Sequence, residues 1–231
     1  MAEAAEPPEP TRIVMVRHGE SLAQERRIVA GHDGCKGLSS RGRTQAEALR
    51  DRLLATGELG DDVVAYTSLM SRAVETAAII SPAFGGVEIV QDCGLCEVHP
   101  GEGDGLPWDE YDARFPRPRD SWDPDYRREP GGETWNEMAT RVGTALDGLV
   151  ERHPRRTIVV VSHGGVIVQA MIRLLALDVT SETPRAWFSP ENTSLTEWRK
   201  GTNPYQRTTL DWQLVRFNDI AHLGGNPALV A

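Results

Sequence analysis

Cysteine is scarce: the 231-residue chain has three, at positions 35, 93 and 96. So few, so unevenly placed, exclude the disulfide framework of a small secreted domain. Long apolar runs are also missing, and no stretch approaches the roughly 20 residues needed to cross a bilayer. The N-terminus has no cationic segment leading into an apolar core, so no secretory signal is expected. Positive charge is in deficit, with a formal net charge of −9. That balance argues against general affinity for nucleic acid or for anionic membranes, although a local cationic pocket can sit in an acidic protein. Together these absences predict a soluble, cytoplasmic protein.

What is present is an ordinary globular composition, 39% hydrophobic, in a chain long enough to bury a substantial core. Residues 1–10 offer only Ala, Glu and Pro after the methionine and are expected as a disordered tail. Residues 11–231 are expected to form a single domain. Within it, two stretches resemble each other: Arg12-Ile13-Val14-Met15-Val16-Arg17-His18-Gly19 and Thr157-Ile158-Val159-Val160-Val161-Ser162-His163-Gly164. Each is a run of β-branched and apolar residues closed by His-Gly, as expected of strands buried on both faces of a parallel sheet.

The rest of the chain alternates to match. Helices are expected over Arg41 to Ala55 (capped by Ser39 or Ser40), from Ser68 to about Ile80, from Thr134 to about His153, and over Gly165 to Leu177. Strands are expected over Val63 to Tyr66 and Val87 to Val90, and a hairpin over Ser194 to Arg199 and Thr209 to Phe217. This is the pattern of a three-layer α/β/α sandwich: a mostly parallel, doubly wound sheet with an antiparallel edge hairpin. Residues 91–132 break the alternation and read as an insert or lid, with a short helix over Trp108 to Phe115.

Ligands of such sheets bind beyond the carboxyl ends of the strands. If the two runs are parallel neighbours, His18 and His163 meet there with Arg17 beside them, a set suited to an oxyanion such as phosphate. Phosphoryl transfer through histidine requires a neutral imidazole and guanidinium forks for the phosphate oxygens. It also requires an acid for the leaving alkoxide. His18 and Arg17 meet the first needs. Arg72, near the start of the helix after the second strand, supplies another fork, and Glu97, in the loop after the third, supplies the acid. Alone, Arg-His-Gly is an ordinary strand end; its order with Arg72, Glu97 and His163 carries the reading. Glu102 and Asp104 are rival acids in the same loop.

Arg17-His18-Gly19-Glu20-Ser21, the segment Leu38 to Ala46, Ser71-Arg72-Ala73-Val74-Glu75-Thr76-Ala77 and Ser162-His163-Gly164-Gly165 resemble motifs of the histidine phosphatase superfamily, in its phosphoglycerate mutase-like branch. The resemblance runs from Thr11 to about Phe217. It implies that His18 is the phosphohistidine nucleophile, that Arg17, Arg72 and His163 form the phosphate pocket, and that Glu97 is the general acid and later the base. Ser21, Gln24 and Gly164 would complete the phosphate-binding set, and no metal or organic cofactor would be needed. Gln24 stands where many relatives have Asn, and the segment Asp33 to Leu38 is longer than the family's Asp-x-Pro-Leu. Val98-His99-Pro100 replaces the Arg-His-Tyr run of true mutases, which favours hydrolysis of a small-molecule phosphate ester. A mutase-type phosphotransferase and a non-catalytic phospho-ligand-binding protein stay as alternatives, and a homodimer is left open.

Other features invite blander readings. Cys93-Gly94-Leu95-Cys96, with His99 as a third donor, is a poor zinc signal without a second pair, so ordinary reduced thiols are expected. Asn192-Thr193-Ser194 is a sequon expected to be silent. Trp108, Tyr111, Phe115, Trp122 and Tyr126 are expected mainly to pack the insert, with one or two of the insert's aromatic residues or of Arg114, Arg117, Arg119, Arg127 and Arg128 selecting the substrate's non-phosphate half. His153 and His222 are expected to be surface or structural residues.

Overall fold

The computed structural model describes residues 10–117, 122–177, 187–202, 210–224 and 227–229. The expected tail up to residue 9, Arg119 and Thr209 lie outside them. Strands β1 (Arg12–Arg17), β2 (Val63–Thr67), β3 (Ile89–Gln91), β4 (Thr157–Ser162), β5 (Leu195–Thr202) and β6 (Leu210–Asp219) form a six-stranded sheet in the order β3-β2-β4-β1-β5-β6. The first four are mutually parallel, while β5 runs antiparallel to β1 and β6 antiparallel to β5. Every residue of β4 is buried, as a central strand covered on both faces requires.

Helices α2 (Ser40–Thr56) and α3 (Ser71–Ile80) cover one face, α5 (Trp135–Arg152) and α6 (Gly164–Leu174) the other. Alternation along the strands decides which side chains each receives. Val14, Val16, Val159 and Val161 pack with Ala46, Leu49, Ala73 and Ile80. Ile13, Met15, Ile158 and Val160 pack with Met138, Leu146, Val166 and Ile167. A fully buried Val, Ile or Leu contributes about 1.5–3 kcal/mol. A one-residue slip of β1 against β4 would exchange the two sets and forfeit much of that packing.

The register pairs Arg17 with Ser162, so the two His-Gly ends emerge side by side. From β1 the chain turns to the face of α2, and from β4 to the face of α6. That divergence opens the crevice in which doubly wound sheets bind ligands. Between β3 and β4, α4 (Trp108–Arg114) and a series of short turns build the wall above it.

Several boundaries differ from expectation for physical reasons. Ser68 does not open α3; the helix starts at Ser71 after Met70, and the Ser68 hydroxyl accepts from the Met70 amide at 3.1 Å while also meeting His163. Strand β3 begins two residues later than expected, after Gly85 and Gly86 at positive φ. Helix α6 stops at Leu174 rather than Leu177, where Leu175 and Ala176 leave the helix, the latter at φ 51°. Beyond β6 the chain forms 3₁₀ turns at Ala221–Leu223 and Pro227–Leu229, and the Leu229 carbonyl accepts from Gln45 Nε2 at 2.6 Å.

Candidate active site

Beyond the carboxyl ends of β1 and β4 lies a cavity of about 560 Å³. Arg17, His18, Ser21, Gln24, Arg72 and Glu97 line it, and so do Trp108, Tyr111, Trp122, Trp135 and Trp187. His163 and Gly164 are not part of its wall. His163 is fully buried one layer deeper and communicates through Arg72, whose Nε–H donates to His163 Nδ1 at 3.2 Å and to His18 Nε2 at 3.1 Å. The two imidazole rings lie 5.1 Å apart at 61°.

The hydrogen bonds assign the tautomers. His18 Nδ1 lies 2.6 Å from the Gly19 carbonyl, so that nitrogen carries the proton and Nε2 presents its lone pair to the pocket. His163 accepts at Nδ1 and donates from Nε2 to the Ser68 hydroxyl at 2.7 Å. Burial first, then the Arg72 and Arg17 guanidinium charges, holds His18 well below the ordinary histidine value. His163 is held down in the same way, by burial, Arg72, His18 and Arg17. A neutral imidazole with a free lone pair is the form that can attack phosphorus.

Arg72 is held by the Ala30 carbonyl at 3.0 Å and by Met70 Sδ at 3.2 Å. Arg17 is tied to the Pro190 carbonyl, and its buried Nε–H has no partner among the described residues. An unpaired guanidinium donor beside the cavity suits an incoming oxyanion. Glu97 accepts from the Val98 amide at 3.0 Å and from Gly165 N, in the first turn of α6, at 2.9 Å. A Cβ on Gly165 would stand 2.1 Å from Glu97 Oε1, so glycine is what lets the carboxylate reach the helix end. The rival acids are engaged elsewhere. Asp104 accepts from the amides of Gly31, Asp33 and Gly34, and Glu102 pairs with Arg114.

The motifs around these groups act as braces. Glu20 accepts from Ser39 Oγ at 2.6 Å and pairs with Arg41, while its amide donates to Gln45. A Cβ on Gly42 would meet the Glu20 carbonyl at 2.0 Å. Thr76 Oγ1 accepts from Gly19 N at 3.1 Å. Ser21 and Gln24 form the capping box of the short helix α1 (Leu22–Glu25). The sequon has a structural use: Asn192 Nδ2 donates to the His18 carbonyl at 2.9 Å, and Thr193 N donates to that of Arg17 at 3.0 Å. His222 backs Thr193 at 3.0 Å, and His153 meets Tyr66 OH at 2.7 Å.

Sequence reasoning placed Trp108, Tyr111, Trp122 and Tyr126 in the insert; all four line the cavity, whereas Phe115 does not. It missed Trp135 and Trp187, which approach each other at 6.1 Å from widely separated segments. The insert is locked by Tyr111 OH donating to buried Glu129 at 2.8 Å, with Arg128 stacked 4.0 Å from the Tyr111 ring centroid.

Cys93 and Cys96 are free thiols 3.1 Å apart. Burial, with Cys96 adding to it, pushes the Cys93 thiol up to about 11, opposite to the depressed value of a redox-active CxxC. His99 turns toward Cys93 rather than into the cavity, and His32, from the loop after α1, joins them. Sequence spacing had no means of nominating His32.

A profile of the histidine phosphatase superfamily (branch 1) matches residues 13–219. Phosphoglycerate mutase-like protein 4 of Arabidopsis thaliana is 35% identical over 158 residues, covering 67% of this chain and 67% of its own. The metal-independent phosphoserine phosphatase of the same plant is 31% identical over 169 residues, covering 72% and 69%. Among solved structures, the native mycobacterial glucosyl-3-phosphoglycerate phosphatase superposes with a TM-score of 0.70 at 28% identity, covering 90% of this chain and 98% of that one.

Proposed function

The chain belongs to the histidine phosphatase superfamily, and on that footing we propose that it hydrolyses a small-molecule phosphomonoester through a phosphohistidine on His18. The observation that carries this reading is the shared Arg72 donor. One buried cation faces the lone pairs of two histidines that burial and charge keep neutral.

In this mechanism the phosphate dianion takes over the donors of Arg17 and Arg72, and His18 Nε2 attacks phosphorus. The N–P bond forms as the ester P–O bond breaks, and protonated Glu97 gives its proton to the leaving oxygen. Nδ1–H, donated to the Gly19 carbonyl, fixes the ring and stabilises the positive charge that develops on it. Glu97, now a carboxylate, takes a proton from water. That water attacks phosphorus, the N–P bond breaks, and inorganic phosphate leaves. The relatives named for phosphoserine and for glucosyl-3-phosphoglycerate are hydrolases by name. Hydrolysis over mutase transfer is further supported by His99, which occupies the segment of the mutase run but turns away from the cavity. The tryptophan-rich mouth suits a substrate whose non-phosphate half presents a flat or apolar surface.

The test combines phosphate release across a panel of phosphorylated metabolites with acid-quench trapping of label on the protein. Wild type should release phosphate steadily without a bisphosphate activator and should trap label. His18→Ala should do neither, and unchanged turnover in that variant would overturn the mechanism.

A further inference from the structure

We propose that His32, Cys93, Cys96 and His99 form a zinc-binding site that clasps the pocket-mouth loop to the loop carrying Glu97. The four donor atoms lie within 4.8 Å of one another. Cys93 Sγ stands 3.1 Å from Cys96 Sγ, 3.7 Å from His32 Nε2 and 3.8 Å from His99 Nε2. Zinc bonds of about 2.3 Å to sulfur and 2.0–2.1 Å to nitrogen, set tetrahedrally, place the donor atoms roughly 3.3–3.8 Å apart. Opening the sulfur pair by about 0.7 Å and drawing in the widest donor separations by about 1 Å brings the cluster to that geometry, a side-chain adjustment without a change of backbone path. Two thiolates and two imidazoles are a borderline-soft set that selects zinc over the oxygen-seeking magnesium and calcium. His32 supplies the donor missing from Cys-x-x-Cys-x-x-His, and the two free thiols are in this proposal the ligands of the metal-loaded protein.

Both loops are already shaped around these donors. Arg141 Nη1 donates to the carbonyls of Cys93, Gly94 and Cys96 at 3.0–3.1 Å. The same guanidinium pairs with Glu133 at 2.6 Å, and Glu133 accepts from the His99 amide at 3.3 Å. On the other side, Asp104 gathers the amides of Gly31, Asp33 and Gly34 at 2.8–2.9 Å and so presents His32. A backbone held this way leaves little ordering cost for the metal to meet.

Binding is balanced by release of two thiol protons to solvent, so that Zn²⁺ and two thiolates make a neutral centre. None of the four ligands lines the catalytic cavity, so the metal takes no part in phosphoryl transfer. Its effect is mechanical. Cys96 directly precedes Glu97, and its Sγ accepts from Ser68 Oγ at 3.4 Å, the hydroxyl that supports His163.

The experiment uses the full-length protein, stripped with a chelator under reducing conditions and titrated with zinc alone against a chromophoric competitor. Cobalt substitution and thermal melting follow on the same samples. Wild type should bind one zinc per chain, give thiolate-to-cobalt charge-transfer absorption with tetrahedral ligand-field bands, and melt at a higher temperature with zinc than without. Cys93→Ser should lose the cobalt–thiolate signature or reduce it to that of a single thiolate. His32 is exposed, so His32→Gln should fold normally yet bind zinc more than tenfold more weakly, the minimum expected of a ligand when mere supporting groups cost roughly 10–100-fold. The proposal is overturned if wild type and His32→Gln bind zinc equally. It is also overturned if cobalt gives no thiolate band, or if Cys93 and Cys96 are found joined as a disulfide in the reduced, zinc-supplied protein.

Discussion

The Nε–H of Arg72 is aimed at Nε2 of His18 from 3.1 Å, so the cation that would hold the phosphate also keeps the proposed nucleophile unprotonated. That relationship sets the pH response. His18 and His163 sit well below 6.5 in the folded protein, whereas in the unfolded chain each takes up a proton near that value. Their contribution is therefore fully present above about pH 6.5 and is lost as pH falls below it, by about 1.4 kcal/mol per pH unit per histidine. Denaturant unfolding between pH 7.5 and 5 should show this slope, flattened in His18→Gln. Identical slopes would mean that His18 is not neutral in the fold. The acid limb of kcat/KM should likewise fall below the ordinary histidine range.

Glu97→Gln removes the proposed proton donor while keeping the shape of the side chain. Turnover of alkyl phosphates should fall by roughly 10²–10⁴-fold, the usual value of a positioned acid. Nitrophenyl phosphate, whose leaving group needs no proton, should lose far less in the first step, which burst kinetics isolates. Equal losses for both esters would move the acid role to another residue.

Gly165→Ala places a methyl group 2.1 Å from the position of Glu97 Oε1, whereas at Gly164 the nearest foreign atom is Arg17 Nε at 3.6 Å. The first substitution should push the carboxylate out of place and reduce turnover of poor-leaving-group esters about as much as Glu97→Gln does. Gly164→Ala should be near neutral. Comparing kcat in the two variants, with their melting temperatures as a control for folding, separates displacement of Glu97 from general damage to α6.

Asn192→Ala removes the donor to the His18 carbonyl and the contact with Gln24. The lost hydrogen bond should cost about 1 kcal/mol of stability. Because the backbone that presents His18 is released, kcat should fall by roughly 10–100-fold. Phosphoenzyme should still form, more slowly, and rapid-quench trapping would reveal it. An unchanged trapping rate would assign Asn192 a purely structural place.

The legibility of the site varied with distance along the chain. Arg17 and His18 were readable because a β-branched run ends on them, and His163 because an equivalent run ends the same way. Glu97 was separated from Glu102 and Asp104 only by geometry: the cavity receives the first, while Arg114 and the 31–34 loop occupy the other two. Ser68 looked like a helix cap because serine commonly is one. Its hydroxyl does accept locally, from the Met70 amide at 3.1 Å, but the helix begins only at Ser71 and the same oxygen also meets a buried histidine, a tertiary demand that local preference does not reveal. Asn192 read as a silent sequon, and Trp187 carried no periodic signal at all.

What the sequence by itself determined is the alternation of buried strands and amphipathic helices, and with it the edge at which Arg17, His18 and His163 emerge. Those features follow from local periodicity, which states which face of each element must avoid water. Only the tertiary structure decided which loops meet above that edge: His32 against Cys93, Asn192 beneath His18, Trp187 against Trp135. Such pairings depend on crossover paths and loop shapes, and the energy that selects them appears only once distant segments are packed together.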